Sequence, residues 1–357
     1  MSNLIDYIKW RGDLELQVDE FNEVDGAILA RFSYFPFDTL IEKDQVVSIR
    51  DLSIRFMGKD INKLQILWPD DVDLFPTMGM SNRFGELMAG HFVKVFDQAE
   101  EKQFAAISVF LPDNSVYISF RGTDNSIVGW KEDFNMSFKS HMSSQISAKE
   151  YVQKISEIYP DKKIRVGGHS KGGNLAVYSA IFSSEDIKER ILKVYNFDGP
   201  GFCEDIIECE EYNKIIDKVY TYIPKSSIIG RLMNHKEENI VVESVEKGIM
   251  QHDIYSWQVI CTKFIEAESL TNSSNFIDKT ITAWLADVEP KKRELVIDAI
   301  FDILYQTNEQ TFKEIKSNIF ENTKIMVKSY QKLDPETKKL VTNTVSELLK
   351  TMLNVRK

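Results

Sequence analysis

The chain has 357 residues, 43% of them hydrophobic, a formal net charge of −11 at pH 7 and three cysteines. That is enough apolar material for one large core, or a core with an appended unit, while Cys203, Cys209 and Cys261 have neither the number nor the spacing for a disulfide framework or a metal site. The acidic balance argues against general nucleic-acid binding, because neutralising phosphates takes a concentrated basic surface.

The N-terminus, MSNLIDYIKWRGDLELQVDE, lacks a basic start followed by an apolar stretch and a small-residue cleavage site, so no secretory signal is read there. No apolar run elsewhere approaches the roughly 20 residues of a membrane span, and the expected location is cytoplasmic. Residues 3–10 and 21–35 read as helices that cover one flank of a core, with Leu4, Ile5, Tyr7 and Ile8, then Val24, Ile28, Leu29 and Phe32, near helical spacing. From about 40 to 90 the chain reads as irregular, with only short helical stretches between Pro69, Pro76, Gly79 and Gly85.

Strand patterning begins at His91 with HFVKVFD and QFAAISVFL, then, after a Pro112-Asp113-Asn114 turn, SVYISF at 115–120; two of these should pair as a hairpin. A helix around 147–158, strand IRVGG at 164–168, a helix from about 171, and strands KVYNF at 193–197 and KVYTYI at 218–223 then alternate. Such alternation implies a mainly parallel sheet with helices on both faces, and such sheets carry their chemistry at the carboxyl ends of the strands. Beyond about 265 the strands stop, and segments 275–287, 290–306, 310–331 and 334–354 are helical by pattern, the last capped by Asp334 ahead of Pro335. The expected division is an α/β domain over 1–265 and a helical region over 266–357. Residues 290–357 hold 13 Lys and Arg against 9 Asp and Glu, which reads as a solvated helix face.

The densest chemical signal is Gly168-His169-Ser170-Lys171-Gly172-Gly173, which joins strand IRV to helix NLAVYSAIF. A serine between glycines at a strand-to-helix turn forms a nucleophile elbow: the strained turn exposes the hydroxyl, and small neighbours let the backbone close. The amide of Lys171, at a positive helix N-terminus, can point at an oxyanion. A serine needs a base, and the base an orienting acid, in chain order Ser, acid, His. Only His235 and His252 follow Ser170. His252 lies in QHDIYSW beyond the last predicted strand, Asn239 to Ser244, whereas His235 lies in the charged stretch NHKEE and reads as solvated. Asp198 ends strand KVYNF and opens a DGPG turn, so it leads as the acid. The slot after the next strand offers Lys225, Ser226 and Ser227 and no carboxylate, and Asp253 is a weaker substitute. The second oxyanion donor is expected from Phe120-Arg121-Gly122-Thr123, where the amide and hydroxyl of Thr123 could both face the developing charge.

VYISFRGT with Trp130-Lys131-Glu132-Asp133 resembles the FRGT...DW..D segment of the fungal-type (class three) triacylglycerol lipases, GHSKGG resembles their GHSLGG elbow, and QHDIYSW resembles their catalytic-histidine region. The likeness covers about 91–260. YIKWRGDL, FNEVDGAIL and FDGPGF look like a bacterial branch of the same proteins. The resemblance implies an α/β-hydrolase fold with a mainly parallel central sheet, N-terminal helices and a C-terminal helical appendage, and it carries Ser170 and His252 over as nucleophile and base and Thr123 as oxyanion donor. Two departures stand out. The lipases place their acid where this chain has Ser226 and Ser227, while pancreatic-type lipases place theirs at the position of Asp198. At Lys171 the lipases usually carry an apolar residue, and this lysine reads as a surface side chain.

The function these residues imply is hydrolysis of a carboxylic ester through an acyl-enzyme on Ser170, with an acyl ester or lipid as substrate, peripheral membrane contact, and neither cofactor nor metal. A thioesterase or peptidase on the same scaffold, and a non-catalytic binding protein, are the alternatives. Residues 200–216 and 225–238 are candidate mobile covers.

Overall fold

The computed structural model describes residues 2–42, 44–124, 126–136, 139–271, 290–309 and 312–354. Eight strands form one sheet whose spatial order is the chain order: β1 (Val46–Ser48), β2 (Met88–Asp97), β3 (Lys102–Phe110), β4 (Ser115–Phe120), β5 (Lys163–His169), β6 (Ile191–Phe197), β7 (Val219–Pro224) and β8 (Asn239–Val242). The first four pair antiparallel, so both β2–β3 and β3–β4 are hairpins; from β4 to β8 every pairing is parallel. A short ribbon of Val259–Ile260 and Lys263–Phe264 follows.

Ten helices precede the gap after residue 271 in the described residues: α1 (Leu4–Arg11), α2 (Glu23–Phe32), α3 (Ile49–Met57), α4 (Asp71–Met80), α5 (Ile127–Asn135), α6 (Ser143–Ile158), α7 (Lys171–Ile181), α8 (Glu185–Arg190), α9 (Glu204–Glu208) and α10 (Glu210–Asn213). The strand order decides where they go. Crossovers between parallel strands are right-handed, so a sheet that always grows in one direction receives its crossover helices on one face. There α6 and α7 bury Ala148, Val152, Ile155, Leu175 and Val177 against Phe104, Ile118, Val166 and Val194 of the strands. The other face is left to the N-terminal segment: Leu4, Ile8, Val24, Ile28 and Phe32 pack with Tyr117, Tyr195 and Phe197. Capping boxes start both of the first helices, Asn3 with Asp6 and Asn22 with Asp25. This is the α/β-hydrolase arrangement with helices on both faces.

The stretch from 40 to 90 is more regular than its punctuation suggests. It holds β1, α3 and α4, and Pro76 sits inside α4. Packing overrides the local signal here: the Phe75 ring stacks on Phe35 with centroids 4.1 Å apart and meets Phe32, Phe37 and Phe56 edge-on or tilted. Arg31 of α2 reaches across to Asp71 of α4 in a fully buried bidentate pair at 2.7 and 2.5 Å, stacked over Tyr34 and Trp68.

At the C-terminus α11 (Pro290–Tyr305), α12 (Phe312–Ser317), α13 (Ile319–Lys332) and α14 (Pro335–Asn354) are helical as expected, but the predicted 310–331 segment is broken around Asn318. Asp334 caps α14, accepting from the amide of Thr337 at 3.0 Å. Segment 275–287 lies outside the described residues. Helix α11 packs on α5 through Ile127, Ile297 and Phe301, flanked by ion pairs Lys131–Asp298 at 2.9 Å and Lys139–Glu294 at 2.8 Å. Among the described residues no helix is long and apolar enough to cross a membrane, and the three cysteines are unbridged.

Candidate active site

The carboxyl ends of β5, β6 and β7 lie side by side, and each delivers one part of the site. Ser170 follows β5 with φ 59° and ψ −134°, a conformation strained for any residue with a side chain. Its amide donates to the carbonyl of Phe197 at the end of β6 at 2.9 Å. The turn depends on its glycines: a Cβ on Gly168 would fall 2.3 Å from the backbone of Gly172, and one on Gly172 would fall 2.2 Å from the Phe120 carbonyl oxygen. Asp198 follows β6, also with positive φ (51°), and its amide donates to Tyr222 of β7 at 2.8 Å.

Three residues far apart in sequence meet here. His252 Nε2 lies 3.0 Å from Ser170 Oγ, and His252 Nδ1 lies 2.7 Å from Asp198 Oδ2. The carboxyl of Asp198 is fully buried, while the imidazole of His252 is 21% exposed. The other oxygen, Asp198 Oδ1, accepts from Ser227 Oγ at 2.5 Å and from the amide of Gly230 at 3.1 Å. Ser227 therefore occupies the later slot as a donor to the carboxylate of the earlier one. Asp253 turns away and caps the amide of Tyr255 at 3.1 Å.

The His252 loop is held from several sides. Gln251 accepts from the amide of Ser226 at 2.7 Å through Oε1, and its carbonyl accepts from Trp257 Nε1 at 2.8 Å. Sequence reasoning assigned no role to His169, yet its Nε2 lies 2.8 Å from the carbonyl of His252, which fixes that nitrogen as a donor, and the two imidazoles pack at a tilt with centroids 4.7 Å apart. Burial, reinforced by the neighbouring His252 and Arg31, holds His169 well below the usual histidine range, so it stays neutral. Tyr34, equally unassigned, donates to the carbonyl of His169 at 3.1 Å and accepts from the amide of Gly122 at 3.0 Å, bridging the elbow and the loop after β4. Nothing local to Tyr34 signals this; its position three residues after Arg31 on a helix exit only becomes informative once the sheet is assembled.

On that loop, Thr123 Oγ1 donates to both oxygens of Asp133 at 2.7 and 2.6 Å. The hydroxyl is thereby committed to Asp133, which corrects the expectation that it would face an oxyanion; the amides of Thr123 and Lys171 are the groups left to do so. Burial raises Asp133 to about 6, against the opposing pull of Lys171 and of the Thr123 hydrogen bond. Two further expectations are corrected. The Lys171 side chain is not on the surface: it is 1% exposed and paired with Glu132 at 2.8 Å. His235 is not solvated either: its ring is 7% exposed, with Nδ1 3.2 Å from Glu237, because the segment that carries it is stitched to residues 201–202 by backbone bonds Gly201–Leu232 and Phe202–Asn234. The two candidate covers, 200–216 and 225–238, are thus bonded to one another, and the second forms part of the cradle of Asp198.

A family model described as Mbeg1-like matches residues 78–302, well over half of the chain. Among solved structures the chain is similar to the Rhizomucor miehei lipase in its propeptide complex, at 19% identity over 44% of this chain and 58% of that one with a TM-score of 0.34. It is similar to lipase II from Rhizopus niveus at 19% identity over 51% and 73%, TM-score 0.33, and to the lipase from Rhizopus microsporus var. chinensis at 17% over 67% and 89%, TM-score 0.34. The chain spans little more than half the length of the first of these. No curated protein matches.

Proposed function

The chain belongs to the Mbeg1-like family, a lipase-like family, and from that premise, joined to the hydrogen-bonded series Asp198–His252–Ser170, we propose that it is a serine hydrolase cleaving carboxylic esters. Ser170 Oγ attacks the acyl carbonyl as His252 Nε2 takes its proton; Asp198 holds the ring with Nδ1–H toward the carboxylate and stabilises the imidazolium that forms. The tetrahedral oxyanion is met by the amides of Lys171 and Thr123. Collapse expels the alcohol, protonated by His252, and leaves an acyl-enzyme that water opens by the same path in reverse order. The substrate class is an acyl ester or lipid.

The observation that carries this reading is the unbroken pair of short contacts from carboxylate to imidazole to hydroxyl at a strained elbow. The test is turnover of p-nitrophenyl and thioester substrates of graded chain length by the wild type, Ser170→Ala and Asp198→Asn. Ester turnover should be lost in Ser170→Ala, and kcat should fall by on the order of 10³- to 10⁴-fold in Asp198→Asn. Turnover of thioesters alone would overturn the ester assignment, and no turnover of any acyl substrate by the wild type would favour a binding protein.

A further inference from the structure

Lys171 follows the nucleophile, and its ammonium is sealed inside the protein. Its three N–H groups are all used: Nζ donates to the Gln103 carbonyl at 2.8 Å, to Gln103 Oε1 at 2.9 Å and to Glu132 Oε2 at 2.8 Å. Glu132 is fully buried, and both of its oxygens are engaged, with Oε2 also accepting from the amide of Gln103 at 3.1 Å and Oε1 from the amide of Ser144 at 3.2 Å. Four elements converge on the pair: α7 through Lys171, α5 through Glu132, β3 through Gln103 and the start of α6 through Ser144.

Burying two opposite charges costs about as much in lost hydration as the pair recovers, and a well-packed apolar pair is often at least as stable. Stability alone therefore gives little reason for a lysine here. Position gives one. The backbone amide of Lys171 is one oxyanion donor of the proposed reaction. The residue after Glu132 is Asp133, whose carboxylate holds Thr123, the other donor. Two adjacent residues of α5 thus grip the two donors, one through the side chain of Lys171 and one through the hydroxyl of Thr123.

We propose that the Lys171–Glu132 ion pair is a positioning device for the oxyanion hole, locking α7 to α5 so that the amides of Lys171 and Thr123 stay at the spacing the tetrahedral intermediate requires. The proposal rests on Ser170 being the nucleophile. An apolar residue at 171 could fill the volume, but it could not bind α5 and β3 directionally.

The experiment compares the wild-type chain with Lys171→Met/Glu132→Leu, which removes both charges, and with Glu132→Gln, which keeps the shape but turns one engaged acceptor into a donor. Steady-state ester hydrolysis, the rate of fluorophosphonate labelling at Ser170 and the melting temperature are measured for each. The expected result is a double variant that folds with a lowered melting temperature, because Gln103 and the amide of Ser144 lose buried hydrogen-bond partners, and in which kcat and labelling rate, measured well below that temperature, both fall about 10- to 100-fold, the cost of a misplaced reacting geometry, at nearly unchanged KM. Glu132→Gln should lose about tenfold in kcat on the same pattern. A folded double variant with wild-type kcat, or a loss confined to KM, would overturn the proposal; should the double variant not fold, unchanged kcat in Glu132→Gln overturns it. Absence of label on wild-type Ser170 would take down the functional reading and this proposal together, whereas a labelled wild type beside equally fast variants would remove only the positioning role.

Discussion

Ser227 stands in the turn after β7, and its hydroxyl donates a hydrogen bond to Asp198, which follows β6. A carboxylate at the end of one strand is thus supported by a hydroxyl from the turn after the next strand. Asp133 shows how far a single residue can be tuned by the same surroundings: held up to about 6 chiefly by burial, it keeps a proton in the folded state that the unfolded chain releases nearer 3.8. The folded state binds more protons than the unfolded one over that window, so this group's contribution to stability falls as pH rises through it. Wild type should accordingly lose stability relative to Asp133→Asn between about pH 4 and pH 6, with the difference flat above about pH 7; urea unfolding of both proteins across that range checks it, and a pH-independent difference would contradict it. The elbow around Ser170 was legible because all its determinants are contiguous: a strand, two glycines, a serine, two glycines and a helix. Tyr34, His169 and the Lys171–Glu132 pair were not, since their partners lie tens of residues away and meet only through the register of β4 and β5.

At the level of elements, α2 and α4 do more than cover the sheet. The Arg31–Asp71 pair also receives the hydroxyl of Tyr255 at 2.7 Å, three residues beyond His252, and Arg31 lies 4.1 Å over Tyr34, which bridges Gly122 and His169. A segment mostly outside the matched family region thus supports both the histidine loop and the elbow. Because removing one member leaves the other charged and buried, Arg31→Met should lower stability by about 3–5 kcal/mol, measured by chemical denaturation; a loss below about 1 kcal/mol, the worth of an exposed pair, would contradict the burial argument. The strands could be read from alternation and β-branched content, and the main crossover helices from their periodicity. Helices α3 and α4 could not, because Pro76 and Gly79 mimic loop punctuation while the aromatic cluster around Phe75 decides the outcome. Helix α5 escaped notice because Gly129 and the charged run Lys131-Glu132-Asp133 hide its short apolar face.

Across the whole molecule, the sequential strand order explains the two cores: crossovers fill one face, and the N-terminal helices are needed to close the other. Helix α11 adds a third, smaller cluster against α5, the helix that carries both Glu132 and Asp133. Its contacts are few enough to act locally, so Phe301→Ala, which empties the space against Phe134 and Ile127, should speed amide exchange in α5 while leaving the protection of β3 to β7 unchanged. Equal acceleration in the central strands would show that the C-terminal helices belong to the same cooperative unit as the sheet.

Hydrolysis by the proposed path requires that the hydroxyl of Ser170 be activated in the folded protein. Treating the full chain with a fluorophosphonate and mapping the adduct by peptide mass spectrometry should find a single modification, on Ser170, that forms far more slowly in Asp198→Asn. A folded chain that takes no label, or takes it on another residue, would contradict it.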